Sequence, residues 1–151
     1  PYIANGFTIL DGEVTALDVS ITEAFKYELR ADANIQTSDG VSDENTGVSL
    51  FTETLVVALK KQDSETNVQV NLLQQGLHYI IGVSKNGDYQ LMGSLDGARV
   101  TASNISSGGA RSDFNGYNLT FTAFSRIPSP FLDQATVTAL LAIESASNIN
   151  P

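Results

Sequence analysis

The 151-residue chain contains no cysteine and a single histidine. Without cysteine there are no disulfides and no thiolate metal sites, and the redox compartment is left open. One histidine excludes a His-rich zinc site. His78 itself, beside Leu77, Tyr79 and Ile80, reads as a structural or surface residue rather than a general base. No apolar run approaches the roughly 18 residues of a membrane-spanning helix, and the first residues lack the basic-then-apolar pattern of a signal peptide. Neither a Gly-rich phosphate-binding motif nor a serine nucleophile motif occurs. Asp39, Asp43, Glu44 and Asn45 are oxygen donors, but their spacing misses the helix-flanked calcium loop. Asn104-Ile105-Ser106 and Asn118-Leu119-Thr120 match a glycosylation acceptor that arises readily by chance. These absences give an expectation of a non-enzymatic protein with no cofactor, no resident metal, no small-molecule substrate and no membrane partner.

Basic residues are also scarce: eight Lys and Arg stand against seventeen Asp and Glu, a net charge of −9. The excess is uneven. Residues 1–54 carry ten carboxylates against Lys26 and Arg30, a net −8, whereas residues 55–151 carry seven against six, a net −1. Such a half-chain is unsuited to gripping phosphate. It serves either as a solubilising face or as a surface that stands near nucleic acid and repels it.

What is present is mostly β. The length fits one domain, 1–151, with a flexible arm over about 32–47 and a flexible loop over about 104–115. Pro1 to Leu10 reads as a short strand interrupted at Asn5-Gly6. Glu13 to Ile21 reads as a second strand after the Asp11-Gly12 turn. Phe25 to Ala31 alternates apolar and charged residues, which predicts a strand with Lys26, Glu28 and Arg30 on its wet face. Asp32 to Gly47 has loop chemistry, or is a β-arm with a disordered tip that reaches a neighbouring subunit.

A long strand, Val48 to Leu59, then dominates the chain. It is half-exposed at its start and apolar on both faces at its end, with Glu53 expected to face solvent. A helix follows over about 63–75, capped by Asp63 or Ser64, with Val68, Leu72 and Leu73 as its apolar stripe and Gly76 as a left-handed stop. Asn86-Gly87 between apolar runs predicts a type I′ hairpin joining Leu77–Val83 to Tyr89–Gly93. Gly97 to Ser103 reads as a further strand. The clearest alternation lies after Asn115-Gly116, with Tyr117, Leu119, Phe121 and Ala123 on one face. Asp133 caps a last helix from Ala135 to about Ser145, carrying Val137, Leu140, Leu141 and Glu144 at helical spacing. The expected fold is mainly β, a β-sandwich or barrel-like sheet with one flanking helix, a long arm and a C-terminal helix.

Several stretches carry a resemblance. They are Thr52-Glu53-Thr54-Leu55-Val56-Val57-Ala58-Leu59-Lys60-Lys61, the helix with Val68-Gln69-Val70-Asn71-Leu72-Leu73, the hairpin from Asn86 to Gly93, Asp113 to Thr122 with its Asn-Gly-Tyr start, and the Pro128–Phe131 exit. Over the last two-thirds of the chain their order resembles virion structural proteins of tailed bacteriophages, in particular tail-tube subunits. The resemblance implies a β-sandwich with a flanking helix and an arm, assembled as stacked homo-oligomeric rings around a DNA channel. It implies contacts with itself and with other virion proteins, non-sticky passage of DNA, and a location in the virion tail after assembly in the host cytoplasm. Alternatives are a head-completion, neck or capsid-decoration protein. From another class comes a carbohydrate- or cell-surface-binding β-sandwich using Tyr27, Tyr79, Tyr89 or Tyr117.

The candidate inter-subunit contacts are Asp39, Asp43, Glu44 and Gly47 in the arm and Ser106, Gly108, Arg111 and Asp113 in the later loop. The charge asymmetry makes Glu13, Asp18, Glu23 and Glu28 candidate channel-facing carboxylates. Replacing those four by lysine is expected to slow DNA passage while rings still form. Unchanged ejection kinetics would remove them from the channel wall.

Overall fold

The computed structural model describes residues 2–4, 7–17, 21, 24–29, 34–60, 62–109 and 113–145. In chain order the first elements are β1 (Tyr2–Ala4), β2 (Phe7–Leu10), β3 (Glu13–Leu17), β4 (Ala24–Phe25), β5 (Ile35–Asp43) and β6 (Val48–Lys60). Then come α1 (Ser64–Gln75), β7 (Ile80–Val83), β8 (Tyr89–Met92), β9 (Arg99–Ser106), β10 (Gly116–Ser125), β11 (Phe131–Leu132), α2 (Gln134–Ile143) and β12 (Glu144–Ser145). The molecule is mainly β, with two principal sheets and two helices.

One sheet runs β1-β2-β3-β11-β8-β7, with a parallel step only between β3 and β11. The other runs β5-β6-β10-β9 and is antiparallel throughout. Its register fixes which residues share a face, because side chains alternate along a strand and directly paired residues point the same way. Leu55, Val57 and Leu59 of β6 oppose Phe121, Leu119 and Tyr117 of β10, and all six are buried. This inner face forms one cluster with Met92, Ala98 and Ile80 and with Val70 and Leu73 of α1. A second cluster, Phe7, Ile9, Val14 and Leu91, lies within the six-stranded sheet. Leu91 and Met92 are consecutive and both fully buried, one in each cluster, so β8 is covered on both faces.

The alternation predicted from Tyr117 to Ala123 is present, and Asp63 caps α1 through a 2.7 Å bond from the Thr66 N–H to its Oδ1. Other expectations are corrected. The inward face of α1 is Thr66, Val70 and Leu73, while Val68 and Leu72 are about three-fifths exposed at 61% and 60%. Gly76 is extended, not left-handed. The end of α1 is instead closed by His78, whose Nε2 lies 2.9 Å from the Leu73 carbonyl while its backbone bridges Ala98. Among the described residues of the Phe25–Ala31 run only Phe25 is in a strand, β4. Its partner, β12, supplies two residues, so the ladder stops, and Tyr27 turns to donate to Gln69 of α1. β12 also ends the last helix at Ile143, short of the expected Ser145.

Turn chemistry divides the two hairpins expected to be alike. At Asp11-Gly12 both residues have positive φ, 53° and 86°, as a two-residue mirror-image turn requires. At Asn86-Gly87 only Gly87 does, at 89°. There the Gly87 N–H reaches the Ser84 carbonyl and the Ser84 N–H reaches the Asp88 carbonyl, which makes a three-residue loop with a bulge in place of the type I′ turn. Asn104 to Ser106, expected in a loop, extend β9; of the two readings of 32–47, the described residues follow the β-arm, with nine residues of strand in β5.

The tip of the β5–β6 hairpin is built by Asp43. Its Oδ1 accepts the Asn45 N–H at 2.8 Å and its carbonyl accepts the Gly47 N–H at 2.8 Å. The Asn45 N–H, and after it the Thr46 hydroxyl, hold the Asp43 carboxyl below the ordinary aspartate value. A group depressed on folding contributes above its unfolded value and loses that contribution as pH falls through its folded one. Hydrogen exchange should therefore show the Asn45 amide protected near neutrality and released in acid. In Asp43→Ala that protection is expected to be weak and independent of pH below about 5.

Candidate assembly surfaces

The four-stranded sheet has one face in the core and one that carries no helix among the described residues. On the outer face the register aligns Thr37 of β5 with Thr54 of β6 and Thr54 with Thr122 of β10. Thr101 of β9 joins this row, its Oγ1 2.9 Å from that of Thr122. The next row toward the tip is Asp39, Thr52 and Phe124. On the other side lie Ile35, Val56, Thr120 and Ala102. Both edges of the sheet, β5 and β9, end without a neighbouring strand among the described residues.

Beyond Thr52 the hairpin leaves the body. All residues from Thr37 to Leu50 are exposed, and Val41 and Leu50 are paired on the outer face at 68% and 43% exposure, with Val48 beside them at 52%. The inner side of this ribbon carries Phe51, whose ring lies over Gly40. A two-stranded ribbon with apolar residues in water is marginal by itself, which makes this patch a candidate contact surface.

Glu53 sits where the ribbon enters the core and is fully buried, which overturns the expectation that it faces solvent. The cause is register: Glu53 pairs with Ala123, on the inward face of β10, so its side chain points between the sheets. Its Oε2 accepts the Gly93 N–H and its Oε1 accepts the Ser129 hydroxyl, both at 2.7 Å. Around it Ser94 and Ser125 are buried with their hydroxyls 3.5 Å apart, and Ser125 accepts the Ile127 N–H. A polar island thus lies inside the apolar core at the base of the arm. A Glu in a strand looks like a solvent-facing residue from sequence; the one available signal was its period-two phase with Leu55 and Val57.

The candidate contact residues separate. Asp39, Asp43, Glu44 and Gly47 lie along the ribbon and its tip, all exposed. Ser106 ends β9, where its carbonyl accepts the Gln62 side chain. Asp113 closes the following loop by accepting the Gly109 N–H at 2.8 Å, beside Gly108. Arg111 lies outside the described residues, as do Asp18 and Glu23. Glu13 is exposed at the start of β3 and Glu28 is exposed beyond β4, so neither is on the four-stranded sheet. The tyrosines do not form a common platform. Tyr117 is buried and bonds Asn67, Tyr27 is half-buried with its phenol pushed up by desolvation, and Tyr79 meets the Phe7 ring edge-on at 5.1 Å. A shallow groove between Leu10–Glu13 and Ile127–Phe131 opens to solvent. Among the described residues no three His, Asp or Glu side chains converge as a metal site, and no helix is long and apolar enough to cross a membrane.

No family model, curated protein or solved structure matches the chain.

Removing Glu53 should be costly because a buried carboxylate that satisfies two donors leaves both unpaired when lost. Glu53→Ala leaves the Gly93 N–H and the Ser129 hydroxyl without their acceptor, and a loss of about 2–4 kcal/mol in denaturant unfolding is expected. A double-mutant cycle with Ser129→Ala should give a coupling of about 1–3 kcal/mol. Additive effects would show that the 2.7 Å contact contributes little.

Proposed function

We propose that the chain is a structural subunit of a tailed-phage tail tube that assembles as stacked homo-oligomeric rings around a DNA channel. The observation that carries this reading is the four-stranded sheet with two free edges and, projecting from it, a ribbon whose outer face exposes Val41, Val48 and Leu50. Free edges are a liability in a monomer and are neutralised by pairing. The strands alternate in direction from β5 to β9, so these two edge strands run oppositely. A rotation about an axis roughly along the strands preserves their directions. It would bring β9 of one copy against β5 of the next in antiparallel order, and repeated head-to-tail contacts of this kind close into a ring.

Charge favours the same junction. The charged residues of β5 are Asp39 and Asp43, and that of β9 is Arg99. The ribbon, with Val41, Val48 and Leu50, would cover its apolar face on a neighbouring copy. The net charge of −9 would keep DNA from adsorbing during passage. Assembly would take place in the host cytoplasm, and the product would reside in the virion tail with other virion proteins.

Electron microscopy and mass photometry of the purified chain test the reading. Rings or tubes with a central hole are expected. Val41→Asp with Leu50→Asp should leave a folded monomer with unchanged far-ultraviolet circular dichroism and no rings. A wild-type chain that stays monomeric at high concentration and is missing from the tails of intact particles would sink the proposal.

A further inference from the structure

We propose that Asn86 is a site of spontaneous deamidation in the folded protein, that Ser84 sets its rate, and that conversion to isoaspartate unfastens β7. The reaction needs no enzyme. A base takes the proton of the backbone amide that follows an asparagine, and the nitrogen attacks the side-chain Cγ. The new C–N bond closes a cyclic succinimide as the bond to the side-chain nitrogen breaks and ammonia leaves. Water then opens the ring at either carbonyl, giving aspartate or isoaspartate. Glycine in second place favours the attack, because no Cβ crowds the nitrogen and its backbone turns freely.

The chain has three Asn-Gly pairs. Asn5-Gly6 lies outside the described residues, and the other two sit in opposite settings. Asn86 and Gly87 are both exposed in the loop between β7 and β8, and the space where a Gly87 Cβ would stand is empty. Asn115 is exposed as well, but Gly116 is buried at the start of β10, paired with β6 on one side and β9 on the other. A Cβ there would collide with the Leu59 carbonyl. The Gly116 nitrogen therefore cannot swing toward the Asn115 Cγ without opening the ladder, whereas the Gly87 nitrogen has room. Asn45, exposed at the ribbon tip, is followed by Thr46, whose branched Cβ crowds the same attack.

Ser84 is the brake. Its carbonyl accepts the Gly87 N–H at 3.0 Å, so the nucleophile must first leave that bond. Its Oγ accepts the Asn86 N–H at 3.2 Å and the Asp88 N–H at 3.3 Å, which holds the backbone on both sides of Gly87. These bonds lie at the exposed surface, where each contributes little against local opening. The reaction also changes the backbone. Isoaspartate routes the chain through the former side-chain carbon and adds a methylene to the loop, and loop length fixes the register of a hairpin. β7 is the last strand of its sheet, with β8 as its only partner strand among the described residues, so a lengthened loop acts on it directly.

Purified full-length protein, incubated at neutral pH and then digested, tests this by peptide mass mapping, with isoaspartyl methyltransferase labelling to identify the isomer. Conversion at Asn86 is expected to be at least about tenfold faster than at Asn115, whereas in denaturant the two sites should react at similar rates. Ser84→Ala should speed conversion of Asn86 several-fold while Asn115 stays slow, which also reports that the variant is folded. The separated isoaspartyl form should show faster amide exchange over Ile80–Val83 than the unreacted chain, with β10 unchanged. Equal rates at Asn86 and Asn115 in the folded chain, or an Asn86 that stays intact while the denatured chain reacts, would overturn the site. A Ser84→Ala rate equal to that of the wild type would overturn the brake, and unaltered exchange over β7 would overturn the structural consequence.

Discussion

The carboxylate of Glu53 lies at the point where β6 changes from an exposed ribbon to a core strand, and both of its oxygens are committed. Much of the architecture follows from that commitment. Gly93 ends β8 and Ser129 precedes β11, so a single side chain from one sheet holds two segments of the other. Burying a charge is unfavourable unless donors satisfy it, and here a backbone amide and a hydroxyl do so. The Ser129 region is drawn in further by backbone bonds. The Leu91 N–H reaches the Pro130 carbonyl, and the Phe131 N–H reaches that of Gly12. The two-residue strand β11 can therefore bridge β3 and β8, although it is too short to hold its place by its own ladder.

This anchoring explains how one strand serves two ends. Thirteen residues of β6 span a wet half and a dry half. In the dry half, apolar pairs with β10 provide hydrophobic stabilisation. Over Val48, Ser49 and Leu50, β5 supplies the only partner strand among the described residues, and the outer face holds Val41, Val48 and Leu50 in solvent. Without a fixed point between the halves, fraying of the ribbon would propagate into the core. With Glu53 in place, the ribbon can project without loosening the body, as a contact element needs.

The sequence was legible where burial enforces a period. Tyr117, Leu119, Phe121 and Ala123 alternate because β10 is a central strand with its inner face in the core, and the pattern predicted that face. It was misleading wherever an interaction between distant segments decided the outcome. Val68 and Leu72 have the helical spacing of a buried pair, yet α1 turns Val70 and Leu73 inward because Tyr117 bonds Asn67 and the core lies on that side. Glu53 was unreadable as a buried residue because its donors are 40 and 76 residues away in the chain. β5 has a loop-like composition, Gln-Thr-Ser-Asp-Gly-Val-Ser-Asp, and forms a strand because β6 offers it a nine-residue ladder. The charge asymmetry likewise named carboxylates without placing them. Of the four, Glu13 and Glu28 are described, and both lie off the open sheet.

That separation of charge from surface bears on how an acidic protein could stand close to DNA. A carboxylate at the point of contact repels phosphate strongly but also attracts the cations that bridge it back, so a dense acidic wall is not automatically a slippery one. A neutral hydroxyl face avoids both effects, provided the net charge elsewhere discourages adsorption at longer range. The outer face of the four-stranded sheet has neither composition in pure form: the row Thr37, Thr54 and Thr122 lies between Asp39, Thr52 and Phe124 on one side and Ile35, Val56 and Thr120 on the other.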